Sequence, residues 1–176
     1  IISEKSYTVS LLVTSRVDVI SRRLHVLSEE NMITVNTELG LSQAVSGYLS
    51  DAATASGMDD IAIWDHNKEL FAFASHSIIQ LPPPTYPKEH ELHDDMPFIL
   101  IQGSNGSMYF ECFKVIVSGS NKQLGIITAR VGFDSLCRSI SAEIAAPVIM
   151  LNNAGETVCF AGAEEISKLA PDASSF

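Results

Sequence analysis

Two charged residues, Glu111 and Arg130, interrupt otherwise apolar, strand-like runs, SMYFECFKVIV (107–117) and QLGIITARV (123–131). A guanidinium presents a rigid fork of donors that suits a carboxylate or a phosphate. One reading therefore makes Arg130 the anchor for a small anionic ligand, with Tyr109 and Glu111 beside it. The other makes it half of a structural ion pair. The runs are joined by Ser118-Gly119-Ser120-Asn121. A turn at Ser120-Asn121 sets Glu111 directly opposite Arg130, whereas a turn at Gly119-Ser120 sets Tyr109 there and leaves Glu111 diagonal. Both readings stand. Phe73 and Tyr86 complete the group best able to line a pocket with apolar walls and a few convergent polar atoms.

His90 and His93, among Glu89, Glu91, Asp94 and Asp95, carry donor types that suit a divalent metal. Such clusters in acidic loops are ordinarily just solvated, so neither a metal site nor a cofactor is expected. The chain contains no GxSxG, HExxH, Walker loop or GxGxxG, which argues against an enzyme. Cys112, Cys137 and Cys159 are isolated, with no CxxC, which removes zinc-ribbon, thioredoxin-like and c-type haem readings. Each is expected as a buried, inert thiol. With 21 acidic against 11 basic residues the formal charge is −10. No basic cluster for nucleic acid exists, and an anionic membrane would repel the body unless a tether held it.

The elements that must position these residues follow from periodicity. Val13, Val17, Ile20, Leu24 and Leu27 form a heptad seam, suited equally to self-association or to packing on the chain's own sheet. A second apolar series through Leu41, Val45, Tyr48 and Ala52 reads as an amphipathic helix on the sheet, with Gly57 as its stop. One long or broken helix is expected from about Ser3 to Ala55. IAIWDHNKELFAFA (61–74) is a hairpin turning at Asp65–Lys68, and both of its faces are apolar. SHSIIQLPPPTYPKEHELHDD (75–95) holds four of the seven prolines and excludes helix and central strand. It is expected as a cover over one sheet face. Strands near 61–65, 69–75, 97–102, 107–117 and 123–132 make one antiparallel sheet, and Asp134 can cap a short helix after it. VIMLNNAGETVCFAG, from Val148, echoes the first hairpin and opens either an added hairpin or an incomplete second module.

A long helix followed by this strand order resembles the extracytoplasmic Cache (PAS-like) sensor domains of bacterial sensor kinases, chemoreceptors and diguanylate cyclases, in their double-Cache form. NTELGLSQAVSGYLSDAATASGMDDIAIWDHNKELFAFAS is similar to the family's helix and first hairpin. NKQLGIITARVGFDSLCRSISAEIAAPVIMLNNAGETVCFAG is similar to its last strand, connecting helix and second hairpin. The resemblance implies an α+β fold divided into N-terminal signalling helices (1–56), a sensor module (57–142) and the start of a second module (143–176). It also implies a periplasmic domain of an inner-membrane receptor, tethered by flanking segments and paired as a homodimer through its N-terminal helix. A shift would pass through that helix to a cytoplasmic output domain. The family's aromatic, arginine and aspartate set for amino-acid ligands has no match here. A cytoplasmic PAS-like interaction or cofactor-binding module is the alternative.

Overall fold

Helix formation at the N-terminus is interrupted twice, each time where the backbone leaves helical geometry. The computed structural model describes residues 2–76, 81–87, 98–103, 107–151 and 155–162, with the side chains of residues 2–10 set aside. Helix α1 (Ile2–Glu29) ends where Glu30 turns extended, and α2 (Asn31–Glu38) restarts at once. Gly40, at φ 72°, makes the left-handed turn into α3 (Ser42–Ser56). Gly57 then caps α3 at φ 68°, as expected of a residue without a Cβ penalty there.

The five expected strands form. They are β1 (Asp60–Asp65), β2 (Leu70–Ser75), β3 (Ile99–Gln102), β4 (Met108–Val117) and β5 (Gln123–Gly132). All pair antiparallel in the order β2-β1-β5-β4-β3. In the first hairpin the Asp65 carboxylate accepts from the backbone N–H of Asn67 and of Glu69, and Lys68 takes φ 66°. The β4–β5 register sets Glu111 opposite Arg130. The turn itself centres on Gly119-Ser120, closed by the Asn121 N–H on the Ser118 carbonyl, and an irregularity at Ile116/Val117, with Asn121 at φ 61°, restores that register.

Strand alternation divides the sheet into two faces. One carries Ile61, Ile63, Ala129, Ile127 and Cys112, which join α1–α3 in one buried cluster. The heptad residues Val17, Ile20, Leu24 and Leu27 lie in that cluster, and Val13 packs at its margin. The seam is therefore matched in cis: a narrow apolar stripe on α1 meets the sheet's own apolar face, and it is not the surface that meets a partner helix. Each fully buried Leu or Ile here is worth about 1.5–3 kcal/mol. The second face holds Asp60, Trp64, Thr128, Arg130, Glu111 and Tyr109, all buried.

After β5 come α4 (Phe133–Ile144) and a two-stranded sheet of β6 (Val148–Leu151) and β7 (Thr157–Ala161), so the echoed segment is again a hairpin. A disulfide joins Cys137 of α4 to Cys159 of β7 inside a small apolar cluster. This corrects the expectation of three inert thiols. The two cysteines are separated by 22 residues in sequence but meet because α4 and the hairpin pack together. Cys112 is free and buried, and burial pushes its thiol up to about 12.

β1 and β5 come close together at Gly125. A Cβ built at Gly125 would sit 2.1 Å from the Trp64 carbonyl oxygen. Gly125→Ala must spread the two central strands, and overpacking of this kind costs about 1–3 kcal/mol. Urea unfolding should show that loss, whereas Gly119→Ala, at an open position, should change little.

Candidate functional site

Arg130 sits on the central strand β5, with β1 on one side and β4 on the other. Register places Asp60 opposite it on β1 and Glu111 opposite it on β4, so one row across three strands reads acid, guanidinium, acid. All three residues are almost fully buried. A guanidinium taken out of water needs anions and acceptors around it, and here they come from two directions. Nη2 donates to the Asp60 carboxylate in a buried ion pair. Nη1 donates to the Pro82 carbonyl at 2.7 Å. The Tyr109 ring lies under the guanidinium, 5.4 Å from centroid to Cζ, a cation–π distance. Nε is buried without a hydrogen-bond partner among the described residues.

The proline-rich segment crosses this face. Leu81–Pro87 forms no helix or strand, because consecutive prolines have no N–H to give a ladder. Pro82 lies at the Arg130 end. Tyr86 packs edge-on against Trp64, with ring centroids 6.0 Å apart, at the other end of β1. Lys68, from the β1–β2 turn, lies over the Tyr86 ring at 5.3 Å. The strap is thus fastened near both ends of β1; of the segment 75–95 expected as a cover, Leu81–Pro87 lies over this face, and residues 77–80 and 88–95 lie outside the described residues. The His90–His93 group lies outside the described residues.

Sequence reasoning brings Tyr109, Glu111 and Arg130 to one place, and the structure agrees. Tyr86 shares the face but contacts Trp64, away from the guanidinium. Phe73 is on the edge strand β2, one strand beyond β1 and a row away from Asp60, with 37% of its surface exposed. It stands at the rim. Asp60 is the residue the sequence reading missed: the acidic pair Asp59-Asp60 looks like a loop before Ile61, but β1 begins at Asp60. The pairing of Arg130 with a carboxylate was foreseen, but the carboxylate it bonds is Asp60. Trp64 was also missed as a member of this face.

Asp59 faces a different task. Its carboxylate accepts the Gly132 backbone N–H at 2.7 Å and the Ser135 hydroxyl at 2.8 Å, which ties down the first turn of α4. Asp134, expected as the cap, lies within that first turn, and the capping residue Gly132 has no side chain to offer. A distant carboxylate therefore does the capping. Burial lifts the Asp59 carboxyl above its ordinary range. The Gly132 and Ser135 hydrogen bonds pull it back, and the neighbouring Asp60 charge adds a smaller upward push.

No family model and no curated protein matches this sequence. Solved structures do share the fold. The periplasmic domain of Vibrio cholerae LuxQ aligns with TM-score 0.66 at 10% identity, over 92% of this chain and 78% of that one. The sensor domain of the V. cholerae histidine kinase DctB aligns with TM-score 0.55 at 11% identity, over 76% of this chain and 55% of that one. The ligand-binding domain of the Campylobacter jejuni chemoreceptor Tlp3, in complex with 4-methylisoleucine, aligns with TM-score 0.51 at 11% identity, over 95% and 72%.

Two measurements check the geometry. Asp60→Ala leaves a buried guanidinium without its carboxylate and should cost about 3–5 kcal/mol. Removing Arg130 in the same chain should recover part of that loss. For Asp59 the folded pKa lies above the unfolded value, near 3.8. Its ionised form therefore weakens the fold at neutral pH, and the penalty fades as pH falls through the folded pKa. Urea midpoints of wild type should accordingly rise relative to Asp59→Asn as pH drops from neutral toward 4, and the opposite trend would refute the assignment.

With helices on one face of an antiparallel five-stranded sheet and a second hairpin after α4, the chain has the PAS-like α+β fold shared with the LuxQ and DctB domains.

Proposed function

We propose that this chain is the extracytoplasmic sensory domain of a bacterial transmembrane receptor and binds a small ligand on the sheet face opposite its helices. The observation that carries the reading is the buried row Asp60–Arg130–Glu111 under a proline strap. Elsewhere the described sheet buries mainly apolar side chains, and charge at the centre of one face is what a recognition site requires. LuxQ and DctB contribute sensor or periplasmic domains of this fold, and the Tlp3 domain holds an amino-acid-like compound. The ligand here is a small anion, because Arg130 keeps an Nε–H without a partner among the described residues, beside two engaged nitrogens. The Cys137–Cys159 disulfide supports an oxidising, extracytoplasmic compartment.

In the full receptor, segments flanking this sequence tether the domain to the inner membrane, and α1 carries the ligand-driven shift toward a cytoplasmic output domain. Residues 143–176 are the start of a second, incomplete PAS-like module or an added hairpin, with β6–β7 as that hairpin. Homodimerisation uses α1, through the stripe left outside the core. Leu11, Val19 and Val26 are each about half exposed, and Val19 and Val26 are one heptad apart.

Thermal-shift screening of small carboxylates tests the ligand reading: a compound that stabilises wild type should lose its effect in Asp60→Ala/Arg130→Ala. A broad carboxylate panel that stabilises neither protein would remove the small-anion reading. The receptor reading is tested in the full-length protein carrying Val26→Cys. That thiol should react with a membrane-impermeant maleimide from the periplasmic side and crosslink to its twin in membranes. Leu24→Cys, buried against the sheet, should do neither, and equal crosslinking at both positions would refute the α1 stripe.

A further inference from the structure

We infer that the strap Leu81–Pro87 is a displaceable occupant of the ligand face, competing with the ligand for Arg130 instead of simply roofing a bound one. This rests on the reading of that face as the ligand site and adds how the site is regulated.

Three observations lead there. First, the contact that Arg130 Nη1 offers outward is already filled, by the Pro82 carbonyl at 2.7 Å. An oxyanion that approaches the same nitrogen must move that carbonyl. Second, the strap satisfies the site incompletely. Arg130 Nε and Trp64 Nε1 are both buried N–H donors without a partner among the described residues, and both residues are more than nine-tenths buried. Prolines supply carbonyl acceptors at fixed, widely spaced points, so the strap cannot reach every donor beneath it. A ligand with two oxygens on one carbon can take Nη1 and Nη2 at the same edge together, in the forked geometry that a guanidinium favours, where the strap offers Nη1 a single carbonyl. The ligand thus gains a contact that the strap forgoes. Third, the strap matches the strand below in length. From Pro82 to Tyr86 an extended proline-rich stretch spans about 12 Å, and from Asp60 to Trp64 β1 spans about 13 Å. Its two anchors, on Arg130 and on Trp64, are therefore linked by a stiff spacer, and releasing one loosens the other.

The competition sets the apparent affinity. A ligand must bind the fraction of molecules whose strap has lifted, so its apparent affinity falls by that fraction. The strap itself becomes the moving part: its release at Arg130 is transmitted to Tyr86 and so to Trp64.

The chain contains one tryptophan, so Trp64 reports strap position directly. In the whole chain, replacing Pro82, Pro83 and Pro84 together by glycine should raise acrylamide quenching of Trp64 several-fold without ligand. This segment carries no ladder hydrogen bonds, so the fold should survive, and circular dichroism checks that. Unchanged quenching in the folded variant would overturn the proposal, because Trp64 would then be hidden by something other than the strap. The second measurement adds acetate, benzoate and inorganic phosphate to both proteins. A probe that binds should red-shift Trp64 emission in wild type and bind several-fold more tightly to the glycine variant. Binding with unshifted emission and equal affinity overturns displacement while leaving the ligand face standing. Silence of every probe on both proteins, strap opened or not, overturns the ligand reading itself.

Discussion

A guanidinium buried at the middle of the central strand constrains everything around it. Arg130 cannot shed its charge, and an unmatched cation in the interior costs more than a small domain can spare. The strands on both sides accordingly present carboxylates in register, Asp60 from β1 and Glu111 from β4. The strap crosses above and lends a carbonyl. Tyr109 supplies the electron-rich ring that a cation favours. The sheet's other face needs none of this: it meets α1 and α3 through Ile, Leu and Val, and its stability is ordinary burial.

The dipeptide Asp59-Asp60 connects that polar face to the rest of the molecule. Adjacent residues at a strand's start point to opposite sides, so one acid serves Arg130 and the other holds the first turn of α4. Helix α4 is in turn pinned at three places. Asp59 holds its start, the disulfide holds Cys137 in its middle, and Glu143 near its end pairs with Arg16 of α1 at 2.6 Å. A change at Arg130 therefore has a short physical route to α1: through neighbouring carboxylates, then along α4, whose far end is bonded to Arg16.

The fold was largely legible because its signals are local. Period-two alternation, the Asp65–Lys68 turn and Gly57 marked the hairpins and the helix stop to within a residue or two. The pairing of Glu111 with Arg130 was one of two registers the turn left open, and an irregularity beside the Gly119-Ser120 turn selects it. What escaped were facts decided by three-dimensional partners. The heptad spacing of Val17, Ile20, Leu24 and Leu27 says that a stripe exists, but a partner helix and the chain's own sheet satisfy it alike. Asp60 looked like a loop residue because an acid at a strand's start acquires meaning only from the arginine beside it, 70 residues away. Cys137 and Cys159 gave no motif, since their meeting depends on how α4 packs against β7.

An odd thiol in a chain that holds a disulfide is a hazard of its own, because exchange lets a free cysteine attack an existing bond and trap a wrong connectivity. The attacking species is the thiolate. With its pKa pushed up to about 12 by burial, Cys112 stays protonated at neutral pH. It also lies on the helix-facing side of the sheet, in a different cluster from the Cys137–Cys159 bond. Once the sheet has closed over Cys112, the native connectivity is kinetically sealed, and scrambling is confined to the interval before the helices dock.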